Sequence, residues 1–238
     1  MIAQVIAIDG PAYVGKSQIA QTLAKALGYT FINTGHMYRA LARRALEKQI
    51  GASDEEALLR VPFDIWFEEG RTMVSEGGPG QTTEDWTEGL DKVEIVQTAS
   101  LIAKLPRVRG KLTDRQRGYA ENGWIVMEGR DIGTVVFPDA AWKFFVTASE
   151  EVRARRLLKM TSAEERLKID YAAALEKIRA IDDSDRNRKI APLKKAGDAI
   201  EYDNSDSPSA GEDAAELLSC IKLGRDKAPR SLVYGIHR

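Results

Sequence analysis

Gly10-Pro11-Ala12-Tyr13-Val14-Gly15-Lys16-Ser17 is the stretch that decides the fold of this 238-residue chain. It follows the pattern G-x-x-x-x-G-K-S of a phosphate-binding loop. The apolar run at 4–8 predicts a buried parallel strand before the loop. After the loop, apolar residues recur at helical spacing as far as Leu27, and Gly28 is a helix stop signal. A loop of this pattern between a strand and a helix predicts a bound nucleoside triphosphate.

The residue types in this loop fit phosphate chemistry. Glycines let backbone N–H groups approach phosphate oxygens, with the positive end of the following helix behind them. We expect Lys16 to be an exposed cation that reaches the outer phosphates, and Ser17 to offer its hydroxyl to Mg²⁺. The loop predicts nothing about the second substrate, which other residues have to indicate.

Composition and charge narrow the class of protein. An apolar fraction of 43% and a charged fraction of 30% are typical of a globular domain, and a net charge of −1 gives no sign of a nucleic-acid or membrane partner. The N-terminal apolar stretch is too short for a signal peptide and no apolar run approaches 18 residues, so we expect a cytoplasmic protein. We also expect the protein to be a monomer. The single cysteine, Cys220, lies in an apolar helical run and is expected to be a buried thiol.

Strand and helix patterns alternate along the chain. The candidate strands of one parallel sheet are residues 4–8, 30–33, 124–127, 142–146 and 199–202. Helical patterns lie between them, one of which ends near Ile181, and Ser209 with Glu212 forms a capping box for the last helix. The alternation predicts one doubly wound α/β domain over residues 1–223, followed by a loose tail at 224–238.

Residues 61–99 predict a small β-containing insert. Apolar and polar residues alternate over 63–68, Glu69-Gly70 favours a turn, and 72–74 is a second short strand, after which glycines at 77–80 interrupt regular structure. A helix follows whose apolar residues are spaced for one face: Val93, Val96, Leu101 and Leu105. Two hypotheses remain open, that the acidic insert closes over a ligand or mediates contacts, and that it is a solvated decoration without function.

Arginines recur in loops and near the ends of the predicted strands. They are Arg39, Arg109, Arg130, Arg153, Arg156, Arg186 and Arg188. Arginine holds phosphate oxygens with a rigid charged fork, and phosphoryl transfer asks mainly for positioning and charge neutralisation. Arg130 and Asp131 follow the strand at 124–127, where open parallel sheets bind ligands. The two histidines, His36 and His237, have neither triad nor metal-site spacing.

Taken together, these motifs resemble those of the bacterial cytidylate kinase family, in the nucleoside monophosphate kinase group. The matching stretches lie within residues 4–222: IAIDGPAYVGKS (6–17), TGHMYRALA (34–42), ASLIAKLPRVR (99–109), GRDIGTVVFPDA (129–140) and DRNRKIAPL (185–193). The resemblance implies a P-loop kinase fold, with the insert at 61–99 over the monophosphate site and a short lid at about 150–165. It implies Mg²⁺-dependent transfer of the ATP γ-phosphoryl group to CMP or dCMP, giving ADP and CDP or dCDP.

The resemblance also implies roles for individual residues. The ATP-binding set would be Gly10, Pro11, Ala12, Tyr13, Val14, Gly15, Lys16, Ser17 and Gln18, with Ser17 at the metal. Thr34, Arg39 and Arg130 would hold the monophosphate. The cytosine would be surrounded by Ser100, Arg109, Asp131 and Arg188, and Asp185 would face the ribose. The catalytic set would be Lys16, Arg130, Arg153, Arg156 and Arg188, with Arg153, Arg155 and Arg156 brought by the lid to the transferring phosphoryl group.

Base chemistry agrees with cytosine. Its N4 amino group is a donor for which Asp131 is a natural acceptor, whereas uracil presents a carbonyl oxygen that the carboxylate would repel. UMP as the acceptor stays an alternative, as does a nucleotide-binding regulatory protein with reduced turnover. The second alternative is favoured by Asn33, where the family usually has Asp, and by Ile181, where Arg is common. Gln18 also departs from the family's Thr, and such changes could weaken activity or shift the choice between ribo and deoxy substrates.

Overall fold

The computed structural model of the chain describes residues 5–75, 83–121, 123–160 and 169–224. Its strands are β1 (Val5–Asp9), β2 (Thr30–Asn33), β3 (Asp64–Glu68), β4 (Arg71–Ser75), β5 (Thr83–Asp85), β6 (Ile125–Gly129), β7 (Trp142–Thr147) and β8 (Ile200–Asp203). Five of them form one sheet in the order β2-β6-β1-β7-β8, and every neighbouring pair is parallel. All five residues of the central β1 are buried, as expected for a strand covered on both faces. The predicted parallel α/β sheet is confirmed.

Helices cover this sheet and build the regions around it. They are α1 (Lys16–Leu27), α2 (Thr34–Glu47), α3 (Glu55–Arg60), α4 (Val93–Ile102), α5 (Pro106–Glu121), α6 (Glu150–Met160), α7 (Tyr171–Arg186) and α8 (Ala210–Leu223), and a π-helical turn spans Ile132–Val136. Gly28 ends α1 in the left-handed conformation, with φ of 70°. Ser209 caps α8 by accepting the Glu212 N–H, as its position in the sequence predicts.

The end predicted for α7 near Ile181 is wrong. The helix continues to Arg186 because its last turns are held by charged pairs rather than by apolar contacts. Asp182 is buried and accepts hydrogen bonds from both Nη atoms of Arg153, and Asp185 accepts one from Arg130 Nε. Apolar periodicity predicts which helix face packs against other apolar residues. It gives no signal for a helix face that is held by ion pairs.

Four sets of buried apolar residues stabilise the described structure, and the two largest lie at the parallel sheet and at the insert. One set surrounds the parallel sheet and includes Ile8, Val126, Phe144 and Cys220, which is fully buried as predicted. A second set joins α2, α3, α4, α5 and the insert and contains no residue of the parallel sheet. The insert therefore packs with α2 through a core of its own, beside the sheet rather than within it.

The insert itself is a three-stranded antiparallel sheet of order β3-β4-β5. Its first two strands and the turn at Glu69 and Gly70, both with positive φ, agree with the sequence pattern, while β5 was not predicted. The apolar face predicted for α4 is wrong: Val93, Val96 and Leu101 are exposed, and the helix buries Ile95, Ala99 and Ile102 instead. The glycine break at 77–80, the lid residues 161–165 and the tail beyond 224 lie outside the described residues.

Candidate active site

The phosphate loop connects β1 to α1 and depends on two glycines. Gly10 has φ of 150°, and a Cβ there would collide with the carbonyl oxygen of Val146 on β7. Gly15, with φ of 94°, precedes the first residue of α1. Tyr13 also has a positive φ, of 61°, an uncommon backbone conformation for a residue with a side chain. Positive-φ residues of this kind allow successive backbone N–H groups to face one anion, and the loop leads directly into the N-terminus of α1.

Lys16 is buried, which corrects the expectation of an exposed cation. Its Nζ donates a hydrogen bond of 2.5 Å to the carbonyl oxygen of Pro11, because the loop curls over the ammonium group. Burial lowers the pKa of Lys16 to about 7, and the positive charge of Arg130 acts in the same direction. Negative charges on Glu128 and Asp9 oppose this shift only in part. The loop thus holds an amino group whose charged form is disfavoured by burial, and a bound phosphate chain would stabilise that charged form.

Two arginines of α6 hold the phosphate loop from outside. Arg153 is fully buried, donates from Nε to the Ala12 carbonyl oxygen at 2.8 Å, and forms a two-point pair with Asp182 at 2.6 and 2.7 Å. Arg156 donates to the Val14 carbonyl oxygen at 2.9 Å and to Asn204. Both predicted residues therefore contact the loop backbone, while their neighbour Arg155 is exposed.

Ser17 and Glu128 form a second polar contact at the loop, and the sequence analysis missed Glu128. The Ser17 hydroxyl donates to Glu128 Oε1 at 2.5 Å, and Glu128 is buried near the end of β6. A buried acid at a strand end, one strand away from the phosphate loop, is the signal that could have identified it. Gln18, the next residue of α1, is exposed.

At the carboxyl end of β6, a buried ion pair joins α5 to the loop that follows this strand. Arg109 Nη2 donates to Asp131 Oδ2 at 2.5 Å, and the exposed fractions of the two side chains are 6% and 11%. Arg109 also donates to the Ala103 carbonyl oxygen at 3.0 Å and lies 5.8 Å above the ring of Tyr38. Within the described residues, no hydrogen bond uses Asp131 Oδ1. The pair thus presents one carboxylate oxygen beside a fixed guanidinium group.

Asp185 gathers two further arginines at the same edge. It accepts from Arg130 Nε at 2.8 Å, and its Oδ1 lies 3.3 Å from Arg188 Nη2. That Nη2 atom is buried, and although it is ion-paired with Asp185 at this distance, it makes no hydrogen bond within the described part of the chain. A buried guanidinium N–H without an acceptor is costly, so Arg188 is suited to a ligand oxygen.

The residues predicted to hold the monophosphate lie at the start of α2. Thr34 is buried and donates to the Glu128 carbonyl oxygen at 2.8 Å. Arg39 donates to the Gly35 carbonyl oxygen at 3.2 Å and pairs with Asp91, an exposed acid of the insert. Ser100 is exposed on α4, and within the described residues no hydrogen bond or ion pair joins its side chain to this cluster. The structure therefore gathers the predicted set apart from Ser100 and Arg155.

The departures at Asn33 and Ile181 have local explanations. Asn33 caps α2 by accepting the His36 N–H at 3.1 Å, for which a neutral side chain is sufficient. Ile181 is half-buried on α7, one turn before Asp185, whose carboxylate already has Arg130 and Arg188 as partners. Within the described residues, neither side chain forms a hydrogen bond or ion pair with the arginines and aspartates of the cluster.

Asp9 connects the two sides of the site and was also missed. It is the last residue of β1, is buried, and accepts backbone N–H groups from Ile132 at 2.8 Å and Gly133 at 2.7 Å. Burial raises the pKa of Asp9 to about 6, although these two N–H groups act to lower it. The phosphate loop and the Asp131 loop are thus tied together directly.

Comparison with known proteins gives a consistent result. The cytidylate kinase family model matches residues 6–222. The chain is 42% identical to a cytidylate kinase of Geobacillus sp. (strain WCH70), over 84% of this chain and 88% of that protein. It is 44% identical to one from Caldanaerobacter subterraneus subsp. tengcongensis, over 84% and 87%, and 40% identical to one from Pseudomonas aeruginosa, over 93% and 96%. Among the described residues, every helix is too short or too polar to cross a bilayer.

Proposed function

Because the chain belongs to the cytidylate kinase family, we propose that its phosphate loop binds ATP and that the side of the site carrying Arg109 and Asp131 binds CMP or dCMP. The enzyme is an ATP-dependent phosphotransferase, and its reaction gives ADP and CDP, or dCDP from the deoxy substrate. The register of two neighbouring strands supports placing the two substrates side by side. Asp9 ends β1 in register with Gly129 of β6, so the phosphate loop and the Arg130-Asp131 loop leave neighbouring parallel strands at the same edge.

The cations of the site divide into two groups. Arg153 and Arg156 bind loop carbonyl oxygens, and we assign them to holding the ATP-binding loop in shape. Lys16, Arg130 and Arg188 lie between the two sides, and we assign them to neutralising charge on the transferring phosphoryl group. The proximity of Arg130 to Lys16 supports this assignment, since the charge of Arg130 helps to lower the pKa of Lys16.

The acceptor phosphate is assigned to Thr34, Arg39 and Arg130. The Arg39 partner in this structure is Asp91, whose side chain is 69% exposed, so a phosphate can replace it at small cost. Thr34 lies in the first turn of α2, where backbone N–H groups have no partner within the helix. The positive end of α2 and the Arg39 guanidinium favour a phosphate at this position.

The residues present fit Mg²⁺ as the ion accompanying ATP. Ser17 and Glu128 offer a hydroxyl and a carboxylate 2.5 Å apart, both hard oxygen ligands. Mg²⁺ takes few protein ligands in such sites and completes its coordination shell with phosphate oxygens and water. When bound, the ion would neutralise charge on the phosphate oxygens of ATP.

Cytosine recognition is assigned to the Arg109–Asp131 pair. Asp131 Oδ1 would accept from the N4 amino group, while the guanidinium groups of Arg109 and Arg188 would donate to the ring N3 and O2. The fixed position of Arg109, with bonds to Ala103 and Asp131, keeps the carboxylate oriented before the base arrives. Uracil would place a carbonyl oxygen against the carboxylate, which disfavours UMP.

A coupled assay of ADP release with CMP, dCMP, UMP and AMP tests the proposal. We expect CMP and dCMP to give the highest kcat/KM, and UMP to be lower by at least about tenfold, the scale of one base contact. Equal use of UMP would overturn the assignment of Asp131, and tight nucleotide binding without ADP release would favour a regulatory protein instead. The same proposal includes a monomeric protein located in the cytoplasm. Size-exclusion chromatography tests the monomeric state.

A further inference from the structure

Asp9 occupies an unusual position between the two halves of the site. Its neighbour Gly10 begins the phosphate loop, and its side chain reaches across to the loop after β6. Both carboxylate oxygens are used, Oδ1 by the Ile132 N–H and Oδ2 by the Gly133 N–H. The residue is 4% exposed, so water does not substitute for these bonds.

The two N–H groups that Asp9 accepts begin the π-helical turn at Ile132–Val136. The first N–H groups of a helical turn have no acceptor within the turn, so their hydrogen-bond acceptor has to come from another part of the chain. The same turn closes on Asp131, whose carbonyl oxygen accepts from Val135 at 2.9 Å and from Val136 at 3.2 Å. Asp9 therefore holds the turn, and the turn holds the backbone of Asp131.

We propose that Asp9 is a positioning residue for acceptor selectivity, which fixes the carboxylate of Asp131 for cytosine recognition without touching either nucleotide. This inference rests on the proposed reading of cytosine by Asp131. An aspartate suits the position because it offers an acceptor to each N–H group. An asparagine offers only one oxygen acceptor. Its NH₂ group would face one of the two backbone N–H groups, donor against donor.

The test compares kcat/KM for CMP and UMP in the parent and in Asp9→Asn. We expect the CMP/UMP ratio to fall about fivefold or more, the scale of coupling between residues in one hydrogen-bonded network, mainly through a higher KM for CMP. The matched control is Asp213→Asn, which also alters a buried carboxylate that accepts a hydrogen bond, from the Tyr202 hydroxyl. A ratio as low in Asp213→Asn as in Asp9→Asn would overturn the inference.

The double variant Asp9→Asn/Asp131→Asn separates this inference from the proposed function. If Asp9 acts through Asp131, the double variant has the CMP/UMP ratio of Asp131→Asn alone. If Asp131→Asn leaves the ratio of the parent unchanged, the proposed cytosine reading fails. If Asp131→Asn lowers the ratio and Asp9→Asn does not, only the role of Asp9 fails.

A second single variant applies if Asp9→Asn does not fold. In Gly133→Ala the added Cβ would lie 3.1 Å from the Lys143 side chain, a tight contact, and 3.4 Å from Asp9 Oδ2, an ordinary one. The strain therefore falls on the residue that donates to Asp9 Oδ2 and leaves the carboxylate itself unchanged. We expect a smaller fall in the CMP/UMP ratio in this variant. An unchanged ratio together with a lowered melting temperature would mean that the bond is only structural, and would overturn the inference.

Discussion

Replacing Asp131 separates base recognition from its contribution to the scaffold. The structure is compatible with both roles, because Oδ2 accepts from buried Arg109 while Oδ1 is not used by any hydrogen bond within the described residues. Loss of activity alone would therefore not identify the role. The ratio of kcat/KM for CMP and UMP does, since a damaged scaffold affects both nucleotides alike.

The size of each effect follows from the environment of the pair. Asp131→Ala leaves Arg109 buried without its partner, which costs about 3–5 kcal/mol of stability and lowers the melting temperature by roughly 6–20 °C. Asp131→Asn keeps an oxygen for Arg109 and costs less, about 1–3 kcal/mol. Loss of one base contact narrows the CMP preference by about 1–3 kcal/mol, or roughly ten- to a hundredfold. In Asp131→Asn the amide N–H can also donate to the uracil oxygen, so UMP use should rise.

The assay measures kcat/KM for CMP and UMP in the parent, Asp131→Asn and Asp131→Ala, beside thermal unfolding of each. The matched control is Asp182→Asn, which weakens a buried Asp–Arg pair on the ATP side of the site. The control should lose stability and activity with both nucleotides while its CMP/UMP ratio stays near that of the parent. An unchanged ratio in both Asp131 variants would refute the reasoning.

Three further predictions concern other parts of the site. Lys16→Ala should lower turnover at least about a hundredfold while the circular dichroism spectrum stays that of a folded protein, because the buried ammonium stabilises ligand phosphates rather than the core; turnover near the parent level would remove Lys16 from the mechanism. His36 donates or accepts a 2.6 Å hydrogen bond with Thr72 of the insert, and burial lowers its pKa to about 3, so the fold favours the neutral ring. Its contribution to stability is therefore complete above pH 6.5 and is lost as the pH falls toward 3, by about 2 kcal/mol between pH 7 and pH 5. Urea unfolding should show a smaller loss over this interval in His36→Gln than in the parent, and equal losses would contradict the assignment. The insert and the predicted lid at about 150–165 should gain protection from hydrogen exchange when CMP and a non-hydrolysable ATP analogue bind together, since closure excludes water from the phosphoryl group; unchanged protection in both segments would count against closure.

Local patterns in the sequence were enough to predict the frame of this protein. The phosphate loop, the five strands and the cap at Ser209 were predicted because each depends on residues close together in the chain. Arg130 and Asp131 were predicted as site residues because parallel strands bring their ends to one edge, whatever the distance along the chain. The family resemblance, which rests on several such motifs at once, is confirmed by the match to residues 6–222.

Tertiary packing decided which polar groups are buried and with what they pair. Lys16 is buried because the loop folds over it, and Arg153 meets Asp182, 29 residues further along the chain, only when α6 packs on α7. The exposed apolar side of α4 was mispredicted for the same reason, since spacing defines a face but not the element that covers it. Glu128 and Asp9 read in the sequence as ordinary ends of buried strands. Their roles arise from the hydroxyl and backbone N–H groups that the fold places opposite them, because a hydrogen bond between distant residues leaves no periodic trace in the sequence.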